Sequence, residues 1–177
     1  MELDVIPGDS VEMIGLLQEV IYSADLFLPY AFITKTISMD TTFLSHLNWL
    51  HILVAALAYF ALGAIWYGPL FSKKWIAYQQ IDMNKADAKK GVAAIMFTSF
   101  VWMFLVTTAL AILVNRLGLT EAVSGIKWGL LTGVFFSASA LSITYLYVKK
   151  PIGLHFIDGL YHVLGQVIAA VILCVWR

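Results

Sequence analysis

The chain has 177 residues, of which 61% are apolar and 12% are charged, and its mean hydropathy is +0.86. Soluble domains are about 45–50% apolar and about 25% charged, so a soluble fold of this size would lack the polar surface to cover itself. Eleven basic residues balance eleven acidic ones. This excludes the basic field that nucleic-acid binding requires, and we expect no nucleic-acid partner. The composition indicates one domain integrated into a lipid bilayer.

Residues 1–45 differ in kind from the rest of the chain, because seven of the eleven acidic residues lie there and two prolines interrupt them. Between residues 9 and 28 apolar side chains recur at helical spacing, and Asp9 with Glu12 is typical of a helix N-cap. We interpret this extension as an amphipathic helix at the outer membrane surface, packed on the bundle or on a partner. Its acidic polar face argues against binding to anionic lipid. The alternative is a fifth, weakly apolar span.

Four later stretches each offer the roughly 20 apolar residues that a bilayer-crossing helix needs. Tryptophan and tyrosine residues, Tyr67 and Tyr145 among them, mark the ends of these stretches, as in an interfacial aromatic belt. The second link, from Arg116 to Lys127, is short, which favours antiparallel neighbours and an up-down-up-down bundle. The fold class is therefore all-α, with a four-helix transmembrane domain over residues 46–177. We expect the spans at about residues 47–70, 92–115, 128–148 and 152–176.

The distribution of lysine and arginine predicts the orientation of this multi-pass protein. Seven basic residues lie in the first and third connections between spans, and four lie on the opposite side. We therefore expect these two connections in the cytoplasm and both termini on the non-cytoplasmic side.

Small residues recur at every fourth position of the third span, at Gly125, Gly129, Gly133 and Ser137. In a membrane this spacing lets two helices approach closely and pack by van der Waals contact. We expect the stripe to contact another helix, either within the chain or in a second copy. The expected complementary surface is the alanine-rich face of the first span, at Ala55, Ala58, Ala61 and Ala64.

The first span opens with Asn48-Trp49 and ends in Gly63-Ala-Ile-Trp-Tyr-Gly-Pro-Leu-Phe-Ser-Lys-Lys-Trp75. We expect Gly68 and Pro69 to end the helix there. These two segments resemble DUF1761, a family of membrane proteins of unknown function. The resemblance extends from about Leu47 to Arg177 and implies the same four-helix membrane fold without an established activity. It is most specific at Gly63, Trp66, Tyr67, Pro69, Phe71 and Trp75, and residues 1–45 have no counterpart in the usual family pattern.

A polar seam, His155, Asp158, His162 and Gln166, interrupts the apolar fourth span. At 100° per residue these positions fall within about 80° of one another on a helix. Ionisable side chains at membrane depth are costly, so the seam is a candidate functional site. Asp158 and His162 are one turn apart, which predicts a charge-assisted hydrogen bond between them. The opposite face is expected to meet lipid, at Ile157, Leu160, Leu164, Val167, Ile168, Val171 and Val175.

Three roles for the seam are open. It can hydrogen-bond to polar residues of the other helices, act as a proton-relay or ion-coupled transport site, or hold a transition metal with His46 or His51. The metal site is disfavoured, because His155 and His162 lie about 10 Å apart along the axis at 1.5 Å per residue. We expect no metal and no cofactor. The candidate hydrogen-bond partners are Ser137, Ser139, Ser142, Thr144 and Asn115.

Catalytic motifs are not apparent: no phosphate loop, no zinc-binding helix and no arguable nucleophilic triad is present, so we expect no enzymatic activity. Two hypotheses for the function remain. One is a small transporter or channel-like protein whose seam handles protons or a small solute, as a homo-oligomer with a shared pathway. The other is a non-catalytic accessory subunit or scaffold of a larger membrane complex, which binds through residues 1–45 and the small-residue stripe.

Overall fold

The computed structural model describes residues 45–81 and 91–176, and the amphipathic helix expected within residues 1–45 lies outside them. In the described ranges the regular structure is helical. Four of the helices there are long and apolar enough to cross a membrane, which confirms the predicted all-α, polytopic fold. In chain order the helices are α1 (Trp49–Leu70), α2 (Ser72–Gln79), α3 (Val92–Arg116), α4 (Ala122–Tyr147) and α5 (Ile152–Val175).

The first span ends at Leu70, as its expected bounds predict, but Gly68 and Pro69 lie inside its last turn instead of ending the helix before it. Its last turn, Trp66–Leu70, is π-helical, and the Phe71 N–H donates to the Trp66 carbonyl at 2.9 Å. This wider turn carries the hydrogen bonding past the proline, which has no N–H to donate. The third span also differs from the expectation, since α4 begins at Ala122 rather than near residue 128.

Helix α5 is the central element of the described bundle. It packs against each of the other four helices, whereas α4 packs mainly on α5. Half of the most apolar stretch of α5 is buried, compared with 11% for α4. Helices α1 and α3 pack on each other as well as on α5. The last of the four spans therefore supplies the core, and the third is the most lipid-exposed.

Ring and side-chain contacts fix the directions of the helices. His51 stacks on Trp176 and the Trp66 indole bonds to Ile157, so α1 and α5 are antiparallel. Helix α3 runs parallel to α5 and antiparallel to α1, and α4 is antiparallel to α5. This is an up-down-up-down arrangement. We refer to its two ends as the Lys150 end, where α5 begins, and the Trp176 end, where α5 stops.

The small-residue stripe lies against α5, so the expected complementary surface on α1 is wrong. A Cβ atom added at Gly129 would lie 2.5 Å from the Cα of Val167. The other two glycines face the α5 backbone almost as closely, at 2.7 Å in both cases: Gly125 on Val171 and Gly133 on Val163. The two helices thus meet backbone to backbone, and a side chain at any of these three glycine positions would prevent this contact. Of the four alanines, Ala61 and Ala64 are exposed.

Three of the seven residues expected to face lipid lie instead at helix contacts. Ile157 is 6% exposed, and Val167 and Val171 lie under the glycines of α4. This follows from the central position of α5, which leaves only a narrow stripe of it open. Large apolar side chains one turn apart form that exposed stripe: Ile152, Phe156, Leu160 and Leu164.

Candidate functional site: the Asp158 cluster

Asp158 lies inside the bundle with 5% of its surface exposed. The Tyr67 hydroxyl of α1 donates to its Oδ1 at 2.8 Å, and the Tyr145 hydroxyl of α4 donates to its Oδ2 at 2.6 Å. One carboxylate therefore joins three helices. Its hydrogen-bond partners in the described chain are these two phenols, and the predicted bond between Asp158 and His162 is not formed.

His162 pairs with α1 instead. Its Nδ1 lies 2.7 Å from the hydroxyl of Tyr59, a side chain that is 1% exposed. Gly165 makes room for that phenol ring, since a Cβ atom there would lie 1.9 Å from the ring's Cε2. A glycine one turn beyond His162 is thus what lets the tyrosine reach the histidine.

The other two seam residues face α4. Gln166, 2% exposed, donates from Nε2 to the hydroxyl of Ser137. His155 meets the ring of Tyr145 edge-on, with the ring centroids 5.4 Å apart. The seam therefore lies between α1 and α4, and every buried side-chain nitrogen or oxygen in the described chain has a partner.

Of the expected polar partners, only Ser137 is seen to bond to the seam. Ser139 and Thr144 donate to carbonyls of their own helix, those of Phe135 and Ala140. Asn115 lies at the Trp176 end, in a cleft with His46 and His51. Among the described residues, no group of three or more His, Cys, Asp or Glu side chains is placed to hold a metal ion.

Two π-helical turns flank the seam. One is Trp66–Leu70 at the end of α1, which carries Tyr67, and the other is Gly133–Ala138 in the middle of α4, which carries Ser137. π-Helical turns are rare and often lie at functional sites, because the extra residue shifts the side chains that follow it. Here each turn brings a hydrogen-bonding side chain onto α5.

Helix α2 covers the seam at the Lys150 end. The Tyr78 ring lies on Gly153, so closely that a Cβ atom there would be 2.5 Å from its Cε2. The Lys150 ammonium donates to the Gln79 side chain at 2.8 Å. These contacts hold α2 against the first turn of α5, on the side of Asp158 that faces the Lys150 end.

The aromatic segment at the end of α1 builds the walls of the cluster. The Trp66 indole donates to the Ile157 carbonyl at 2.9 Å, next to Asp158 in the chain. The ring of Phe71 packs on Trp66, and that of Trp75 packs on Tyr67, with centroids 4.7 and 5.5 Å apart. The most distinctive segment of the sequence thus serves the polar seam.

A family model described as "Protein of unknown function (DUF1761)" matches residues 50–174. The chain belongs to the DUF1761 family. The match includes the whole Asp158 cluster and all but the edges of the four spans, so the site is part of the family's domain. Searches of curated proteins and of solved structures gave no significant match.

Three tyrosines in the site of this DUF1761 protein were not predicted to be partners of the seam. Tyr67 and Tyr145 were interpreted as membrane-interface anchors, and Tyr59 was not singled out at all. One signal for Tyr145 was present, because it lies 13 residues before Asp158 across the short turn between two antiparallel spans. Residues placed symmetrically about such a turn face each other.

Proposed function

We propose that the protein is a small proton-linked transporter or channel-like protein, without catalytic activity, and that Asp158 binds and releases the proton. The observation that carries the proposal is a buried carboxylate in a membrane-crossing helix whose partners are two neutral phenols. In the described chain no cation pairs with it.

Magnitudes favour this role over a purely structural one. Asp158 lies six residues into α5, about 9 Å along the axis. An aspartate at the centre of a membrane helix costs about 2.5–3.5 kcal/mol on insertion scales, and less nearer the interface. Hydrogen bonds between membrane helices contribute about 0.6 kcal/mol each on average. Two such bonds do not offset the cost of inserting an aspartate. An uncharged polar side chain would join the helices at a lower cost.

The polar groups around Asp158 would form the part of a proton pathway that lies toward the Lys150 end. Beyond Asp158 and Tyr67, the ring of Tyr161 contacts both Tyr67 and His162, and His162 bonds to Tyr59. Nearer the Trp176 end an apolar cluster separates these groups from the cleft there. Its members are Ala55, Leu110, Ala169 and Ala170. Polar groups on one side of an apolar barrier are consistent with gated passage of a proton or small solute, and the two π-helical turns beside them are of a kind frequent at functional sites.

The orientation follows from the lysine distribution, which supports a cytoplasmic Lys150 end. In this arrangement Asp158 exchanges its proton with the cytoplasm when α2 moves aside. The cleft at the Trp176 end then faces the non-cytoplasmic side.

Reconstitution of the full chain into liposomes with an entrapped pH-sensitive dye tests the proposal. We expect the wild type to dissipate an imposed pH gradient, and Asp158→Asn to fall to the rate of empty liposomes. Glu121→Gln is the matched control, because that acid is exposed and lies just before α4, and it should behave like the wild type. The proposal is wrong if the wild type gives no flux above empty liposomes, or if Asp158→Asn is as active as the wild type. Co-purification of a membrane partner that is lost on deleting residues 1–45 would then favour the accessory-subunit hypothesis.

The cover over the seam gives a second expectation. Gly153→Ala places a methyl group against the Tyr78 ring and should displace α2 from α5. We expect a water-soluble carbodiimide to label Asp158 several-fold faster in this variant, as measured by peptide mass spectrometry. Gly68→Ala is the control, since no atom lies within 4 Å of a Cβ at that position. Equal labelling rates in the two variants would show that α2 does not limit access to the carboxylate.

A further inference from the structure

A second candidate site lies at the Trp176 end, away from the Asp158 cluster. It is a cleft of about 400 Å³ between the start of α1 and the ends of α3 and α5. Clefts that hold small molecules have volumes of about 300–1,000 Å³ and combine apolar walls with a few polar groups. This cleft has that composition. Its apolar wall comes from Leu47, Ile52, Ala111, Val114, Leu119 and Leu173.

The polar groups of the cleft are held in fixed orientations by α1. The Oδ1 of Asn48 accepts the backbone N–H groups of Leu50 and His51 at 3.1 and 3.3 Å, capping the helix. The Nδ2 of Asn48 must then donate to the Nε2 of His51, 3.1 Å away. A neutral His51 therefore carries its proton on Nδ1, which remains as a donor.

Two further polar side chains complete the lining. His46 and Asn115 are exposed, and within the described ranges neither side chain has a protein hydrogen-bond partner. The flat wall beside them is the His51 ring stacked on the Trp176 indole, with centroids 4.6 Å apart and an interplanar angle of 23°. The cleft thus offers several donors next to a planar aromatic surface.

The charge of the lining restricts the ligand. Among the described residues that line the cleft there is no aspartate, glutamate, lysine or arginine. A permanently charged ligand would lose water there without gaining a counter-ion, which is unfavourable. The cleft also lies at the level where α1 begins and α5 ends, which is where a membrane-spanning helix meets the interface. Molecules that partition to that level have an apolar body and a polar head.

We propose that this cleft binds an uncharged, lipid-soluble molecule with a planar ring that bears carbonyl or hydroxyl oxygens, of the quinone or phenol class. The ring lies against the His51–Trp176 stack, and its oxygens accept from Asn115 and from a histidine N–H. Binding at this site is independent of the proton-linked role of Asp158.

Equilibrium binding of a radiolabelled short-chain alkylbenzoquinone to the full chain in lipid nanodiscs tests the assignment, with empty nanodiscs subtracted. We expect saturable binding to the wild type. Loss of one hydrogen bond in Asn115→Ala should weaken it about 5-fold, and Asn115→Trp, which fills the mouth, should abolish it. Thr98→Ala is the matched control, because it replaces an exposed residue of the same helix at the opposite end.

The outcomes separate the site from simple partitioning into lipid. Equal binding to Asn115→Trp and to the wild type would overturn the site. An alkylbenzoate of the same length should bind at least 10-fold more weakly, and equal affinity for this anion would overturn the proposed ligand class. Asp158→Asn should bind the quinone like the wild type even if it has lost proton flux. The two experiments therefore test the quinone site and the proton-linked role of Asp158 separately.

Discussion

Gly129→Ala is expected to destabilise the bundle by about 3 kcal/mol, the upper end of the usual cost of overpacking a core. The added methyl carbon would lie 2.5 Å from the Cα of Val167 and 2.9 Å from the carbonyl oxygen of Gln166. Because both atoms belong to the backbone, no side chain can rotate out of the way. Helix α4 must move away from α5, and the bond from Gln166 to Ser137 is strained with it.

The measurement is the free energy of unfolding in mixed micelles, followed by circular dichroism during an SDS titration. Gly68→Ala provides the matched control, since it makes the same change in a helical turn with open space around it. That variant should be neutral or gain up to about 1 kcal/mol from the helix propensity of alanine. If Gly129→Ala is as stable as the control, α4 does not rest on the backbone of α5.

Removing both phenol hydroxyls around Asp158 is expected to cost about 3 kcal/mol. In the variant Tyr67→Phe/Tyr145→Phe both rings remain, but the buried carboxylate loses both donors. An unsatisfied buried acceptor costs about 1–3 kcal/mol, and more when it is charged. Adding Asp158→Leu to this variant removes the acceptor as well, and should restore most of the lost stability.

The same SDS titration measures this series. Tyr147→Phe is the control, because that side chain is 85% exposed and lies two residues from Tyr145. If the triple variant is no more stable than the double variant, the loss comes from ring packing rather than from an unsatisfied carboxylate. A stability of the double variant equal to that of Tyr147→Phe would show that the two hydrogen bonds contribute nothing.

The spans could be predicted from the sequence because the bilayer imposes a simple rule, a run of about 20 apolar residues for each crossing. The spacing of Gly125, Gly129 and Gly133 likewise predicted a close helix contact. It did not predict which helix makes this contact, because a glycine stripe can pack closely against any helix of the bundle. The partner is α5, which presents the Cα atoms of three valines rather than a small-residue face.

The polar seam could also be found from its spacing, but its hydrogen bonds could not. A tyrosine near the end of a span has its hydroxyl either among lipid headgroups or on a buried acceptor, and the sequence pattern is the same in both cases. For Asp158, phenols that approach from α1 and α4 satisfy both oxygens at once, whereas His162 on the same helix could reach only one side. The π-helical turns were not predicted because one extra residue in a turn leaves no periodic signal.

The central position of α5 has a consequence for the assembly of the protein during synthesis. A chain is made from its N-terminus, so α1, α3 and α4 enter the membrane before the helix that contacts all of them exists. Until then the Trp66 indole at the end of α1 lacks its acceptor, the Ile157 carbonyl of α5, and the glycine stripe of α4 faces lipid. The core of the described bundle therefore closes in one late step, when α5 inserts beside α4, to which the short turn at residues 148–151 connects it.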